Sequence, residues 1–169
     1  MGVWLTEDMR WSKNTREICK KAFSRLSLLT KLKFVGVKIE DLIEVYMLYI
    51  RSITEYCCVV YHSRLTVEDS ATIERIQKCC LRIILGDNYI SYEAALEMTG
   101  LETLHERREN RCLSYALKAI EHPLNSRKFP LNPAWSEKFT VNFAHTDTYK
   151  LSSIPDNQRR LNRHFQTNL

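Results

Sequence analysis

Glycine and proline are scarce in this chain, with four of each in 169 residues. That scarcity argues against a many-turned β architecture and for long helices. Apolar runs are short as well. Those such as Cys57 to Tyr61 and Ile83 to Leu85 fall far below the length that spans a bilayer. Residues 1–20 carry charges throughout and no apolar h-region, so no signal peptide is expected. The six cysteines (Cys19, Cys57, Cys58, Cys79, Cys80 and Cys112) include two adjacent pairs but no C-x-x-C. Neither a disulfide framework nor a zinc site is expected from that pattern. Each cysteine falls inside a helical pattern, where a small buried hydrophobe is the simpler reading. The expected location is intracellular, nucleus or cytoplasm, and not secreted.

Catalytic signatures are missing too. There is no G-x-S-x-G, no glycine-rich phosphate loop, no H-E-x-x-H and no Asp-Asp dipeptide. His62, His105, His122, His145 and His164 do not stand at metal-ligand spacing. The acidic pairs Glu7-Asp8, Glu40-Asp41 and Glu68-Asp69 lie in or beside first turns of helices, where capping and the helix dipole explain them. No catalytic residue, metal ligand or cofactor is therefore assigned.

What the chain has is apolar residues, 44% of the total, and an uneven distribution of charge. Residues 1–38 hold 9 Lys/Arg against 3 Asp/Glu, a net +6. Residues 39–122 hold 9 against 14, a net −5, and residues 123–169 hold 7 against 3, a net +4. Basic segments attract polyanions by neutralising phosphates and releasing counterions. A basic surface is also ordinary in a soluble protein, so charge alone points only weakly to nucleic acid.

The patterning predicts an all-α fold. It is a bundle of about five helices, preceded by a short orphan strand at Gly2-Val3-Trp4-Leu5 and followed by an extended tail from His122. The first helix is expected from Lys13 to Lys33 with Ser12 as N-cap. On a helical wheel Ile18, Cys19, Ala22, Phe23, Leu26 and Leu29 share one arc, and Lys13, Arg16, Lys20, Lys21 and Lys31 oppose them, with Arg25 at the edge. A second helix is expected from Ile39 to Tyr61, with so broad an apolar surface that it reads as the central one. Its Tyr46, Tyr49, Tyr56 and Tyr61 read better as core than as base-stacking platforms. Thr66 with Asp69 resembles a capping box opening a third helix that runs to Leu85. A short fourth helix from Ser91 to Met98 and a fifth from Leu104 to Glu121, capped by Thr103, complete the set. Pro130, Pro133 and Pro155 interrupt the remainder, which reads as an extended, partly ordered tail.

Two cation rows are candidates for phosphate contact. One is the basic face of the first helix. The other is Arg75, Lys78 and Arg82 on the third, where ordinary helix solvation is the competing reading and Glu74 and Gln77 are placed for local pairs. Arg107, Arg108 and Arg111 alternate with Glu106 and Glu109, a mixture that intrahelical ion pairs explain.

Several blocks together resemble a known family. Gly2-Val3-Trp4-Leu5 followed by Trp11 is similar to the stretch that closes the palm of non-LTR retrotransposon reverse transcriptases. Ile18-Cys19-Lys20-Lys21-Ala22 with Arg25-Leu26 resembles the helix that follows it. Tyr49-Ile50-Arg51-Ser52-Ile53 with Glu55-Tyr56 resembles the next block. Ile73 to Lys78, then Leu81 to Gly86, resembles the one after. Ser91-Tyr92-Glu93 with Ala95-Leu96, then Leu101, Leu104 and Arg107-Arg108, follows in order, and Ser153-Ile154-Pro155 with Leu161-Asn162 is similar to the closing segment. The resemblance covers residues 2–121 well and the tail loosely, and it has the flavour of jockey-like LINE elements. It implies the C-terminal thumb and post-thumb region of an RNA-directed DNA polymerase, whose first thumb helices lie along the primer–template duplex. The chain starts at Met1 where the family continues backward into the palm, and the metal-binding aspartates and the endonuclease domain are absent.

The expected division is therefore residues 1–12, a remnant of the last palm strand and a linker; 13–121, a helical thumb/post-thumb domain; and 122–169, the tail. The expected function is that of a catalytically incomplete fragment that retains non-specific, salt-sensitive binding of RNA or DNA backbone. Its binding residues would be Lys13, Arg16, Lys20, Lys21, Arg25, Lys31, Arg75, Lys78 and Arg82. The alternatives are a domesticated helical protein-interaction module and a non-functional truncated pseudogene product. Possible partners besides nucleic acid are the missing palm or another protein at an exposed Trp4 region. No membrane partner is expected.

Overall fold

In the computed structural model the chain is all-α, with one short hairpin. All residues are described except 1, 9, 133–134, 142–145 and 168–169. In chain order the elements are α1 (Ser12–Phe34), α2 (Ile39–Val45), a π-helical turn (Tyr46–Arg51), α3 (Ser52–Glu55), α4 (Cys58–Tyr61), α5 (Val67–Leu85), α6 (Tyr92–Thr99), α7 (Leu104–Glu121), β1 (Leu131–Asn132), β2 (Trp135–Phe139), α8 (Asp147–Lys150) and α9 (Ser153–Thr167). Short 3-10 turns cover His62–Arg64, Gly86–Asn88 and Pro123–Lys128. No helix among the described residues is long and apolar enough to cross a membrane.

Most helix signals read from sequence act where expected. Asp69 N donates to Thr66 Oγ1 at 3.0 Å, closing the cap of α5. Ser91, expected as the first residue of the fourth helix, is instead its cap, and Ala94 N donates to Ser91 Oγ at 3.1 Å. Thr103 and Glu106 exchange bonds as a full capping box, with Glu106 N on Thr103 Oγ1 and Thr103 N on Glu106 Oε2. Gly100 ends α6 at φ +64, a left-handed position that favours glycine.

The chain forms two compact units. One comprises Met1–Tyr56 and Leu65–Arg107, the other Cys57–Arg64 and Arg108–Leu169. This is not the expected division at residues 12 and 121. The second helix, expected to run unbroken from Ile39 to Tyr61, is interrupted at one of these boundaries. Tyr56 turns to ψ 123, and Cys57 adopts a left-handed φ of 54. For a residue with a Cβ that conformation costs on the order of 1–2 kcal/mol. The break assigns Cys58 and Tyr61, both buried, to the second unit.

In the first unit, α1 and α5 lie side by side and run in the same direction. Ser12 Oγ meets Asp69 Oδ2 at 3.2 Å at one end, and Lys33 Nζ donates to the Ile84 carbonyl at 2.8 Å at the other. Between them lie Cys19, Ala22, Leu29, Ile73, Ile76 and Cys80, and Leu42 and Tyr46 close the core from α2 and the π turn. Ser12 is the first residue of α1 rather than its cap, and Trp11 in the cap position makes no side-chain cap bond. Gly2 to Leu5 pair with no strand among the described residues. Instead Trp4 N donates to Asn14 Oδ1 at 3.1 Å, so the segment is tied to the first turn of α1.

Several polar residues inside this unit are engaged with partners distant in sequence. Tyr46 Oη donates to Gln77 Oε1 at 2.5 Å, and Gln77 Nε2 donates to Tyr92 Oη and to the Glu102 carbonyl, each at 2.9 Å. Glu74 accepts from the amides of Leu104 (3.0 Å) and His105 (3.2 Å), so a carboxylate meets the positive end of α7. Glu55, 3% exposed, accepts from Arg107 Nε at 2.5 Å, with Arg51 Nε at 3.7 Å. The local pairs expected for Glu74 and Gln77, and the intrahelical pairs expected for Arg107, thus give way to partners distant in sequence. A buried carboxylate requires a cation, whereas an exposed i,i+4 pair is worth only tenths of a kcal/mol.

The second unit holds the residues expected to form an extended tail. They fold as the antiparallel hairpin β1–β2 and as the 15-residue helix α9. Phe129, Phe139, Ala116, Ala119 and Leu161 form the core, with Phe165 against it. Phe129 and Phe139 meet edge to face at 6.3 Å between ring centres. Asn162 grips the hairpin on both sides: Phe139 N donates to its Oδ1 (2.7 Å), and its Nδ2 donates to the Phe139 carbonyl (2.9 Å). Pro155 sits in the first turn of α9, where its missing N–H is tolerated.

Candidate nucleic-acid interface

α1 is amphipathic because its residues alternate on the helical period, and its buried side (Ile18, Cys19, Ala22 and Leu29) fixes which side faces out. Lys13, Arg16, Lys20, Lys21 and Lys31 are all exposed. On α5, Ile73, Ile76, Cys80, Leu81 and Ile84 are fully buried, so Arg75 and Arg82 on the reverse side are exposed. Sequence reasoning placed the two rows on separate helices. The parallel pairing of α1 with α5 makes the helices that carry them neighbours, at the roughly 8–10 Å spacing of packed helices.

The cations are not equivalent. Arg16, Lys20, Lys21, Lys31 and Arg75 are exposed and have no ion-pair partner among the described residues. Four others lie over aromatic rings: Lys13 over Trp4 at 4.6 Å, Arg25 over Tyr49 at 4.3 Å, Lys78 over Tyr92 at 4.8 Å and Arg82 over Tyr89 at 5.3 Å. Lys13 and Arg82 remain exposed in doing so, while Lys78 is half-buried. Arg25 departs furthest from the sequence assignment. It is half-buried, and its Nη1 donates to the Tyr49 carbonyl at 3.0 Å, so it holds backbone rather than standing free on the phosphate row.

The tyrosines divide similarly. Tyr46 and Tyr61 are core residues, fully buried, whereas Tyr49 is 50% and Tyr56 38% exposed. Apolar surface is open at Val3, Trp4 and Leu5, which are 40%, 45% and 47% exposed. Lys33, which went unassigned, acts as the C-terminal cap of α5. Its only sequence signal was its basic character near a helix end.

No reactive group stands out. Burial pushes the Cys19 thiol up to about 11 and those of Cys80 and Cys112 to about 12, so each is protonated at neutral pH. None of the six cysteines is joined in a disulfide. Among the described residues no group of three or more His, Cys, Asp or Glu side chains is placed to hold a metal ion.

The second unit carries a shallow cleft of about 360 Å³ lined by Glu109, Leu113, Arg160, Arg163 and His164. Its charges are largely consumed. Arg160 pairs with Glu109, and its Nε meets Asp156 Oδ2 at 2.6 Å. Glu109 also meets His62 Nε2 at 3.2 Å, and the fully buried Arg108 donates Nε to His62 Nδ1 at 3.4 Å. The intrahelical pairing expected of Arg108 and Glu109 is replaced by this network. Compared with family models, with curated proteins and with solved structures, the chain matches none.

Proposed function

We propose that the chain binds the backbone of RNA or DNA without sequence preference, through the outer faces of α1 and α5. It would do so as a catalytically incomplete unit resembling the thumb and post-thumb region of a non-LTR retrotransposon reverse transcriptase. The observation that carries this reading is the exposed, unpaired set Arg16, Lys20, Lys21, Lys31 and Arg75 on two neighbouring parallel helices. Cations already paired with carboxylates contribute little to phosphate binding, whereas free ones release counterions from the polyanion. Contacts of this kind carry no base information. No catalytic step is assigned to the chain.

The test is a labelled duplex titrated with the folded chain. Binding is expected at low salt and release as salt rises, and no binding at low salt refutes the proposal.

A second reading has its own support. The open surface of Val3, Trp4 and Leu5 suits a helical module that docks a protein. Charge reversal at Arg16, Lys20 and Lys31 separates the two; Lys21 is spared because it lines the small cavity beside Trp4. Lys13 is left in place because it stacks on Trp4. Nucleic-acid binding collapses in that variant, whereas docking at Trp4 survives it.

A further inference from the structure

Within the otherwise α-helical stretch from Ile39 to Glu55, Tyr46–Arg51 is wound as a π-helix. Such a turn moves the amide partner from four residues back to five, and carbonyls at its seams with α-helix then need other donors. Here side chains donate to carbonyls in and beside the turn. Ser52 Oγ donates to the Leu48 carbonyl at 2.7 Å and Thr54 Oγ1 to that of Arg51 at 2.8 Å. The Tyr49 carbonyl is met from another helix, by Arg25 Nη1 of α1 at 3.0 Å. The same guanidinium covers the Tyr49 ring, which is half-exposed, so the clasp lies within reach of a competing anion. Arg25 also belongs to the helix that carries Lys20, Lys21 and Lys31. A phosphate oxygen is a stronger acceptor for a guanidinium than a neutral carbonyl is.

We propose that Arg25 couples polyanion binding on α1 to the winding of Tyr46–Arg51. A phosphate held on the basic face draws the guanidinium away. The Tyr49 carbonyl then loses that charged donor, and the π turn loosens. By linkage, whatever loosens the π turn releases Arg25 and strengthens polyanion binding. This inference rests on the backbone-binding reading above.

Hydrogen exchange of the full chain, with and without a saturating short DNA duplex at low salt, tests it. Exchange of the amides of 46–55 is expected to accelerate about tenfold on binding, the scale of losing one hydrogen bond to a charged donor. Free Arg25→Gln already exchanges at the faster rate, and the duplex adds nothing further. Arg25→Lys keeps the charge but not the planar fork, so its free chain exchanges faster than wild type. Wild-type binding with unchanged exchange over 46–55, or an equal duplex-induced change in Arg25→Gln, overturns the coupling and leaves backbone binding intact. Absence of binding overturns both.

Discussion

Removing two of the free cations from α1 changes the salt dependence of nucleic-acid binding by an amount the structure sets. Arg16, Lys20, Lys21, Lys31 and Arg75 are exposed and lack ion-pair partners among the described residues. If each neutralises one phosphate, log affinity falls against log salt with a slope of about −4.5, at about 0.9 per contact. Between about 50 and about 200 mM salt, the wild type then loses about 500-fold in affinity. Lys20→Ala with Lys21→Ala leaves three contacts, a slope of about −2.7 and a loss of only about 40-fold over the same range. Fluorescence anisotropy of a labelled duplex, with circular dichroism to confirm folding, measures both slopes. Lys118→Ala with Lys128→Ala, at exposed positions of the second unit, should leave the slope at its wild-type value. Equal slopes in wild type and the Lys20/Lys21 variant, or salt-independent binding, would show that the α1 face does not carry the contacts.

Four further outcomes follow from the interior. Glu55→Ala strips the buried carboxylate from Arg107 and Arg51 and should cost about 3 kcal/mol, lowering the thermal midpoint by about 9 °C; a drop under about 2 °C would contradict that role. Tyr46→Phe leaves Gln77 Oε1 without its short buried bond and should cost about 1.5 kcal/mol in urea unfolding. The raised thiols of Cys19, Cys80 and Cys112 make stability fall in alkali, because the unfolded chain ionises above the ordinary value of 9.0 while the folded chain must keep its protons. That contribution is complete below pH 9.0 and is lost as pH rises toward about 11 to 12. At neutral pH a thiol reagent should label the half-buried Cys57 and Cys79 well before the buried four, and uniform labelling of all six would rule out this burial.

The helices and most of their ends were legible in the sequence. Thr66 with Asp69, Thr103 and Gly100 act on backbone groups within four residues, so local chemistry alone specifies them. The apolar stripe of α1 likewise determined which lysines face out. α9 was missed because most of its buried positions are polar: Asn157, Gln158 and Arg160 lie inside beside Leu161. A buried polar side chain leaves no periodic apolar signal, and its partners come from elsewhere. Gln158 Nε2 donates to the Lys128 carbonyl at 2.7 Å, and Arg160 pairs with Glu109.

The sequence by itself therefore determined an all-α chain with a basic first helix, because period and caps are properties of neighbouring residues. The tertiary structure alone decided which charges remain available. Arg25, Arg107 and Glu109 look like surface residues on any helical wheel. Their partners lie far along the chain, at Tyr49, Glu55 and Arg160. Desolvated charges require those partners, and only the packing brings them within reach. The same packing lays α1 beside α5 in parallel, so that the two helices carrying the cation rows, separate in sequence, become neighbours.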